Sequence, residues 1–270
     1  MNPYEGCSCN CLYCFIRGSK YGENMEDGLA VKTNALEVLE KQLALRAKRK
    51  QYGFVALGSG TDAYLNHEEK FRMTEGMLKL LLKYRFPVFI STKRTLITRD
   101  IQLLREIDKA AFLPNDFRDK LKRGVILSVS VSVLDEKISN ILEPGAVPPL
   151  KRLELVKQLR QEGFLAGVNA IPVLPFISDT DEGLEKIIAA AKEHDASYVL
   201  VGGLTLFGTG PADSKTLFYK FLERYDASLL PKYQQLYGEN FYVSFQYQNE
   251  LKDRAKKLCT KYNIRNSILE

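Results

Sequence analysis

The sequence predicts an α/β fold built around a parallel sheet. Three observations carry this. Short apolar runs without polar alternation recur along the chain, as a sheet buried on both faces requires. Helical patterns separate them at roughly 35-residue spacing, which makes βαβ units with right-handed crossovers. The chain has 270 residues, 45% of them apolar and 27% charged. That is an ordinary globular balance, and α/β barrels of this size fold as one domain.

The elements follow in order. Phe54–Leu57 lies between Gly53 and Gly58 and reads as the first strand of the series. Pro87–Ser91, Val125–Val133, Leu165–Leu174 and Tyr198–Leu206 follow, the fourth interrupted by Pro172. Asn34 with Glu37 has capping-box spacing ahead of Leu36, Leu39 and Leu43, which recur at helical period. Further helices are expected at Glu69–Tyr84, Arg99–Asp108, Pro149–Glu162 and Asp181–Glu193. Beyond these, Ser214–Tyr237 reads as helix, Phe241–Tyr247 alternates like a strand, and Leu251–Tyr262 reads as a terminal helix. Residues 211–270 are expected to pack on a main unit of residues 1–210.

No run of 18 apolar residues exists, so no membrane span is expected. Met1-Asn2-Pro3-Tyr4 has neither the basic nor the apolar region of a signal peptide. Five cysteines are present, and Cys7, Cys9, Cys11 and Cys14 lie within eight residues. Such crowding is no disulfide framework; it points to metal or cluster ligation in a reducing, cytoplasmic setting. Only His67 and His194 are present, which argues against a histidine-rich metal site.

Cys7, Cys11 and Cys14 fit C-x3-C-x2-C. Three thiolates from one short loop can hold three irons of a [4Fe-4S] cube and leave the fourth open. The alternative is a zinc ion on all four cysteines, although zinc sites normally use two separated pairs. Cys9 would then be a ligand; in the cluster reading it is a spare.

Asn2-Pro3-Tyr4-Glu5-Gly6-Cys7 through Cys14-Phe15 resembles the opening of radical S-adenosylmethionine enzymes. More narrowly, the chain resembles the spore photoproduct lyase-like branch, often labelled DNA repair photolyase. Thr61-Asp62-Ala63-Tyr64, Thr92-Lys93, Arg99-Asp100, Leu142-Glu143-Pro144-Gly145-Ala146 with Arg152, and Pro172-Val-Leu-Pro175 before Ser178-Asp179 carry that resemblance in order. It implies a partial (β/α)6 TIM-like barrel, open on one side, with a C-terminal helical and strand extension. It also implies that the strand leading into the cysteine loop is very short here.

The chemistry implied is reductive cleavage of S-adenosylmethionine. One electron from the cluster breaks a sulfonium C–S bond, giving methionine and a 5′-deoxyadenosyl radical that takes hydrogen from a substrate. Cys7, Cys11 and Cys14 would ligate the cluster. Tyr13 or Phe15 would flank the adenine, an aromatic face being worth about 1–3 kcal/mol against a base. Gly58, Ser59, Gly60 and Asp62 would form the strand-end loop facing the cofactor's ammonium, with Thr61 or Asp62 alternatively a plain turn cap. Lys93 would pair with its carboxylate. Ser130 would reach it from the barrel interior, on one strand face with Ser128 and Ser132. Asn169 would contact the adenosine, and Glu143 would pair with Arg152 at the rim. Of these positions, Ser130 and Asn169 alone fall inside the expected strands rather than at their C-terminal ends, where barrel active sites gather.

The substrate class is open between nucleic acid, small molecule and peptide. A low-potential electron donor such as flavodoxin or ferredoxin is implied as partner. The spore enzyme's extra hydrogen-donating cysteine has no counterpart between Cys14 and Cys259, and Tyr64 is a candidate relay or a packing residue. The net charge is +6. Lys252, Arg254, Lys256, Lys257, Lys261 and Arg265, with Tyr262 available to stack, form a basic tail suited to phosphates or simply to solvent. The competing class is a non-catalytic iron–sulfur or zinc binding or sensor protein that kept the loop without turnover.

Overall fold

A computed structural model describes residues 1–20, 22, 28–117 and 119–269. The chain begins with β1 (Tyr4–Glu5), the cysteine loop and β2 (Ala30–Val31), followed by α1 (Ala35–Lys48) and β3 (Val55–Leu57). Next come α2 (Glu68–Phe71), α3 (Met73–Tyr84), β4 (Val88–Thr92), a 3-10 turn at Thr95–Asp100 and α4 (Ile101–Ala110). Then β5 (Val125–Ser130), α5 (Glu136–Leu142), α6 (Pro149–Gln161), β6 (Leu165–Ala170), α7 (Asp181–Glu193) and β7 (Val199–Val201) complete the alternating part. The C-terminal stretch is α8 (Ser214–Tyr225), α9 (Leu229–Tyr237) and α10 (Phe245–Lys261).

The five strands β3 to β7 form one parallel sheet in sequence order, an open sheet with β3 and β7 at its edges. This is the open, partial barrel expected, with one difference. The strand before the cysteine loop does not join the sheet: β1 pairs antiparallel with β2, Tyr4 opposite Val31. The parallel sheet therefore has five strands where six were implied. Every residue of β5 is buried, as the central strand of a sheet covered on both faces must be. Register aligns Thr92 with Val129 and Ser130 with Asn169, so the strand ends form one rim.

Several local expectations are corrected. Asn34 sits at the start of α1 but its side chain makes no capping hydrogen bond, so the capping box does not form. The helix expected at Glu69–Tyr84 breaks at Arg72, in the left-handed region at φ 49°. The reason is Glu68, whose buried carboxylate turns back to accept from the Thr74 and Glu75 N–H groups (2.9 and 3.2 Å) at the start of α3. Ser214–Tyr237 is two helices, not one. The strand expected at Phe241–Tyr247 reduces to one bridge, Thr205 with Tyr242. Ser244 overrides the alternation: its hydroxyl accepts from Tyr247 N–H at 3.2 Å and starts α10. Helix α5 was not foreseen, although Asp135 caps it through Lys137 and Ile138.

The main core lies between the sheet and its helices. A second core joins α8 and α9 to the cysteine loop, with Cys9, Cys11 and Tyr13 packed among Leu142, Leu204, Phe218 and Tyr233. The last residues also return to the sheet. Val199 N–H donates to the Arg265 carbonyl at 2.8 Å beside β7. The C-terminal stretch thus shares both a core and a sheet edge with the rest of the chain.

Gly167 sits mid-β6 where a Cβ would lie 2.5 Å from the Tyr198 carbonyl oxygen. Gly167→Ala is expected to lower the unfolding free energy by about 1–3 kcal/mol, read by urea denaturation.

Candidate active site

The cysteine loop is a run of tight turns. Asn10 N–H donates to Cys7 O (3.1 Å), Cys14 to Cys11 (3.3 Å) and Arg17 to Cys14 (3.0 Å). Asn10 takes φ 50°, a left-handed value that asparagine tolerates. The turn after α5 grips this loop from outside. Leu12 N–H donates to Leu142 O at 2.8 Å, and Gly145 N–H donates to Cys9 O at 3.1 Å. Arg94 reaches Ser8 Oγ (3.1 Å) and Arg17 Nε reaches Cys11 O (3.2 Å). Upstream, the Tyr4 hydroxyl donates to buried Glu68, which Arg99 also holds at 2.7 Å.

The loop faces a cavity of about 350 Å³ at the C-terminal ends of the strands, within the ~300–1,000 Å³ of small-molecule sites. Cys7, Cys11 and Cys14 all line it. So do Gly58, Ser59, Gly60 and Asp62 after β3, and Lys93 after β4. Ser130, Asn169, Tyr13 and Phe15 complete the expected set, every member of which meets in this one space. Ser130 and Asn169 prove to obey the strand-end rule, because β5 stops at Ser130 and β6 at Ala170, earlier than the apolar runs suggested.

Each position has a defined environment. Gly58 needs its φ of 84°, and a Cβ there would lie 2.1 Å from the Ser91 carbonyl oxygen; a Cβ on Gly60 would lie 2.6 Å from the Asn2 amide. Both glycines thus have reasons within the protein. Asp62 is buried and accepts from Tyr64 N–H (2.8 Å), Thr92 Oγ1 (2.7 Å) and Lys93 N–H (2.7 Å), fixing the β3 loop against the end of β4. Of the three serines on one face, Ser130 alone lines the cavity. Ser132 Oγ lies 2.9 Å from the Tyr13 hydroxyl oxygen, within hydrogen-bond distance, and Ser128 is buried in the core. Two residues that line the cavity, Thr61 and Asn169, each carry a buried side-chain oxygen (Oγ1 and Oδ1) with no hydrogen-bond partner among the described residues. Unmatched buried polar atoms are costly. Their presence beside thiols and a cation fits a polar ligand.

Lys93 does not stand free. Its ammonium donates to Glu143 Oε1 at 2.9 Å and to the Tyr13 hydroxyl at 3.1 Å. The expected Glu143–Arg152 pair is present, with both side chains wholly buried. Burial alone would discharge Lys93, but its interactions with Cys11, when that thiol is ionised, and with the Glu143 carboxylate outweigh burial and raise its pKa well above the usual lysine value. Burial likewise opposes ionisation of Glu143, and Lys93 with Arg152 overcomes it, bringing its pKa down to about 2. A hydrogen bond with Cys9 brings the Cys7 thiol down to about 7, whereas burial pushes Cys11 and Cys14 up. Any metal or cluster held by the last two would have to displace their protons.

Among the described residues, no three His, Cys, Asp or Glu side chains converge as on a single metal ion. Cys259 is buried on α10 away from the cavity, with its pKa raised to about 11 by burial, so it supplies no thiol to the mouth. Tyr64 is buried and does not line the cavity. The basic tail is partly committed: Arg254 bonds Asp179 and Asp181, Lys261 and Tyr262 bond Glu185, and Arg265 Nε donates to Ser197 O at 3.2 Å. Lys252, Lys256 and Lys257 are exposed. Sequence reasoning missed Ile171 and Gly203–Thr205, which wall the cavity after β6 and β7. They fall inside the apolar runs Leu165–Leu174 and Tyr198–Leu206, and become visible as strand-end residues only because β6 stops at Ala170 and β7 at Val201.

The family model described as the radical SAM superfamily matches residues 1–191. The chain belongs to that superfamily, and it is an enzyme of the radical S-adenosylmethionine class. An uncharacterized protein of Mycobacterium tuberculosis is 31% identical over 270 residues, covering 98% of this chain and 74% of its own. The radical SAM Nalpha-GlyT isomerase of Pseudomonas phage M6 is 21% identical over 196 residues, covering 71% of this chain and 37% of the isomerase. Among solved structures, spore photoproduct lyase complexed with dinucleoside spore photoproduct has the same fold, with a TM-score of 0.64 at 14% identity over 96% of this chain and 72% of that one. Streptococcus suis SuiB bound to S-adenosylmethionine aligns with a TM-score of 0.53 at 13% identity over 83% of this chain and 47% of that one. The superfamily implies an iron–sulfur cluster and S-adenosylmethionine. No helix among the described residues is long and apolar enough to cross a membrane.

A Cβ on Gly145 would lie 1.8 Å from the Ser8 carbonyl oxygen. Gly145→Ala is therefore expected to push the turn off the cysteine loop and lower the iron bound per chain after reconstitution. Iron and sulfide assays check this, with circular dichroism to show that the fold persists.

Proposed function

We propose that Cys7, Cys11 and Cys14 hold a [4Fe-4S] cluster whose open iron receives S-adenosylmethionine, and that the chain abstracts hydrogen from a substrate docked at the cavity mouth. The observation that carries this reading is the shared cavity: Cys7, Cys11 and Cys14, with Cys9 beside them, line one space together with the partly buried Lys93, Thr61 and Asn169. When bound, the cluster supplies the electron that splits a C–S bond of the cofactor, leaving methionine and a carbon radical.

The chain's own residues bind, orient and shield. Lys93 offers its ammonium to a carboxylate at the end of β4. Thr61 and Asn169 offer unused polar atoms on either side. Phe15, 47% exposed at the mouth, presents a ring to a planar base, while the Tyr13 hydroxyl is turned into the Lys93–Glu143 network. Leu57, Leu204 and Pro172 wall the space with apolar surface that keeps water out. An external one-electron donor of the flavodoxin or ferredoxin kind completes the cycle.

The relatives in structure differ in substrate: one holds a dinucleoside photoproduct and SuiB has been seen with a precursor peptide. The fold therefore does not select the substrate. A nucleic acid approaching along the tail would meet Lys252, Lys256 and Lys257, and its binding would weaken with salt and with replacement of these three by glutamine.

The deciding experiment is anaerobic reconstitution followed by electron paramagnetic resonance of the reduced protein. A [4Fe-4S]+ signal that changes on adding S-adenosylmethionine is expected; no cluster, or one blind to the cofactor, overturns the reading. Lys93→Ala is expected to weaken S-adenosylmethionine binding about 10- to 100-fold, as loss of a charge-assisted contact implies, with iron content unchanged.

A further inference from the structure

We infer that Glu143 is a positioning residue for cofactor binding, which aims the Lys93 ammonium into the cavity while its own turn splints the cysteine loop. The inference rests on the reading of Lys93 given above and concerns what makes that lysine effective.

Glu143 has no solvent exposure, and both its oxygens are engaged from opposite sides. Oε1 accepts from the Lys93 ammonium at 2.9 Å and from the Tyr13 hydroxyl. Oε2 accepts from the Arg152 guanidinium and from Ser139 Oγ at 3.1 Å. Arg152 is in turn anchored to the Ser130 carbonyl at 2.7 Å, at the end of the central strand. The carboxylate thus sits between a rigid anchor on the sheet and two groups at the cavity. A lysine stem has four rotatable bonds and loses much entropy when fixed. Glu143 fixes this one before any ligand arrives, so less remains to be ordered on binding.

The same residue belongs to the turn that holds the thiols. On one side of it, Leu142 O accepts from Leu12 N–H; on the other, Gly145 N–H donates to Cys9 O. Val147 N–H also donates to the Lys93 carbonyl at 3.3 Å. Cysteine loop, cation and turn are therefore bound to one another through main chain as well as through the carboxylate. Charge points the same way. Lys93, Glu143 and Arg152 together leave one net positive charge beside the cavity. Without Glu143, two cations would share a buried space, and the more exposed of them, Lys93, would be driven outward.

The test is a double-mutant cycle on the full chain with its cluster reconstituted, reading the anaerobic dissociation constant of S-adenosylmethionine. Glu143→Gln is expected to weaken binding about 5- to 30-fold (roughly 1–2 kcal/mol). The same change made in Lys93→Ala is expected to add less than about twofold, because its effect runs through the lysine. Glu143→Asp is expected to recover part of the loss. Should Glu143→Gln strand Arg152 and fail to fold, Glu143→Gln with Arg152→Met carries the same comparison without a stranded arginine. Equal losses in both backgrounds would mean that Glu143 acts through general stability, and unchanged or tighter binding would mean that it does not aim the lysine. Either result overturns the inference while leaving Lys93 in the site. If Lys93→Ala itself binds the cofactor normally, the reading of Lys93 falls, and the inference with it.

Discussion

The Glu143 carboxylate sits where the chain's separate parts meet. Arg152 on α6, Lys93 after β4 and Tyr13 in the cysteine loop all donate to it, and none of the three is near another in sequence. A buried carboxylate is tolerated only when fully paired, so these parts must arrive together. The geometry that brings them together comes from the sheet. Five parallel strands in register place the residues after β3, β4, β5, β6 and β7 on one rim, and the cysteine loop closes over it.

The second buried acid does comparable work one layer away. Glu68 is the first residue of α2, accepts from the N–H groups that start α3, and takes the hydroxyl of Tyr4 three residues before Cys7. Arg99 balances it and also reaches Asp100. Two acids, each fully engaged, therefore hold the loop at both approaches: Glu68 upstream of Cys7 and the Glu143 turn against Cys9 and Leu12.

Much of this was legible in the sequence because it is local. Cysteine spacing within one loop, apolar runs four to ten residues long, and the polar residues in or just after those runs are all visible without a structure. All twelve candidate positions accordingly line one cavity. What escaped is non-local or competitive. The Glu143–Lys93 bond spans 50 residues, and nothing local to either residue announces it. The Phe241–Tyr247 alternation lost to a serine cap, a contest between two short-range signals of similar strength. The break at Arg72 depends on a carboxylate folding back on the next helix, which periodicity does not see.

The tyrosines of the C-terminal stretch grip main-chain oxygens at Leu204 in the cavity wall and at Pro175 beyond it. Tyr233 donates to the Pro175 carbonyl at 2.5 Å and Tyr237 to the Leu204 carbonyl at 2.8 Å, while Gln248 accepts from Gly203 N–H at 3.3 Å. The thiol side of the cavity hangs from Glu68 and Glu143, and the far side hangs from these tail residues. The aperture therefore has two jambs set by different stretches of chain. Changes around Gln248 on α10 can reshape the far side of the opening, whereas α9 shares a core with Cys9, Cys11 and Tyr13 and ties the two sides together.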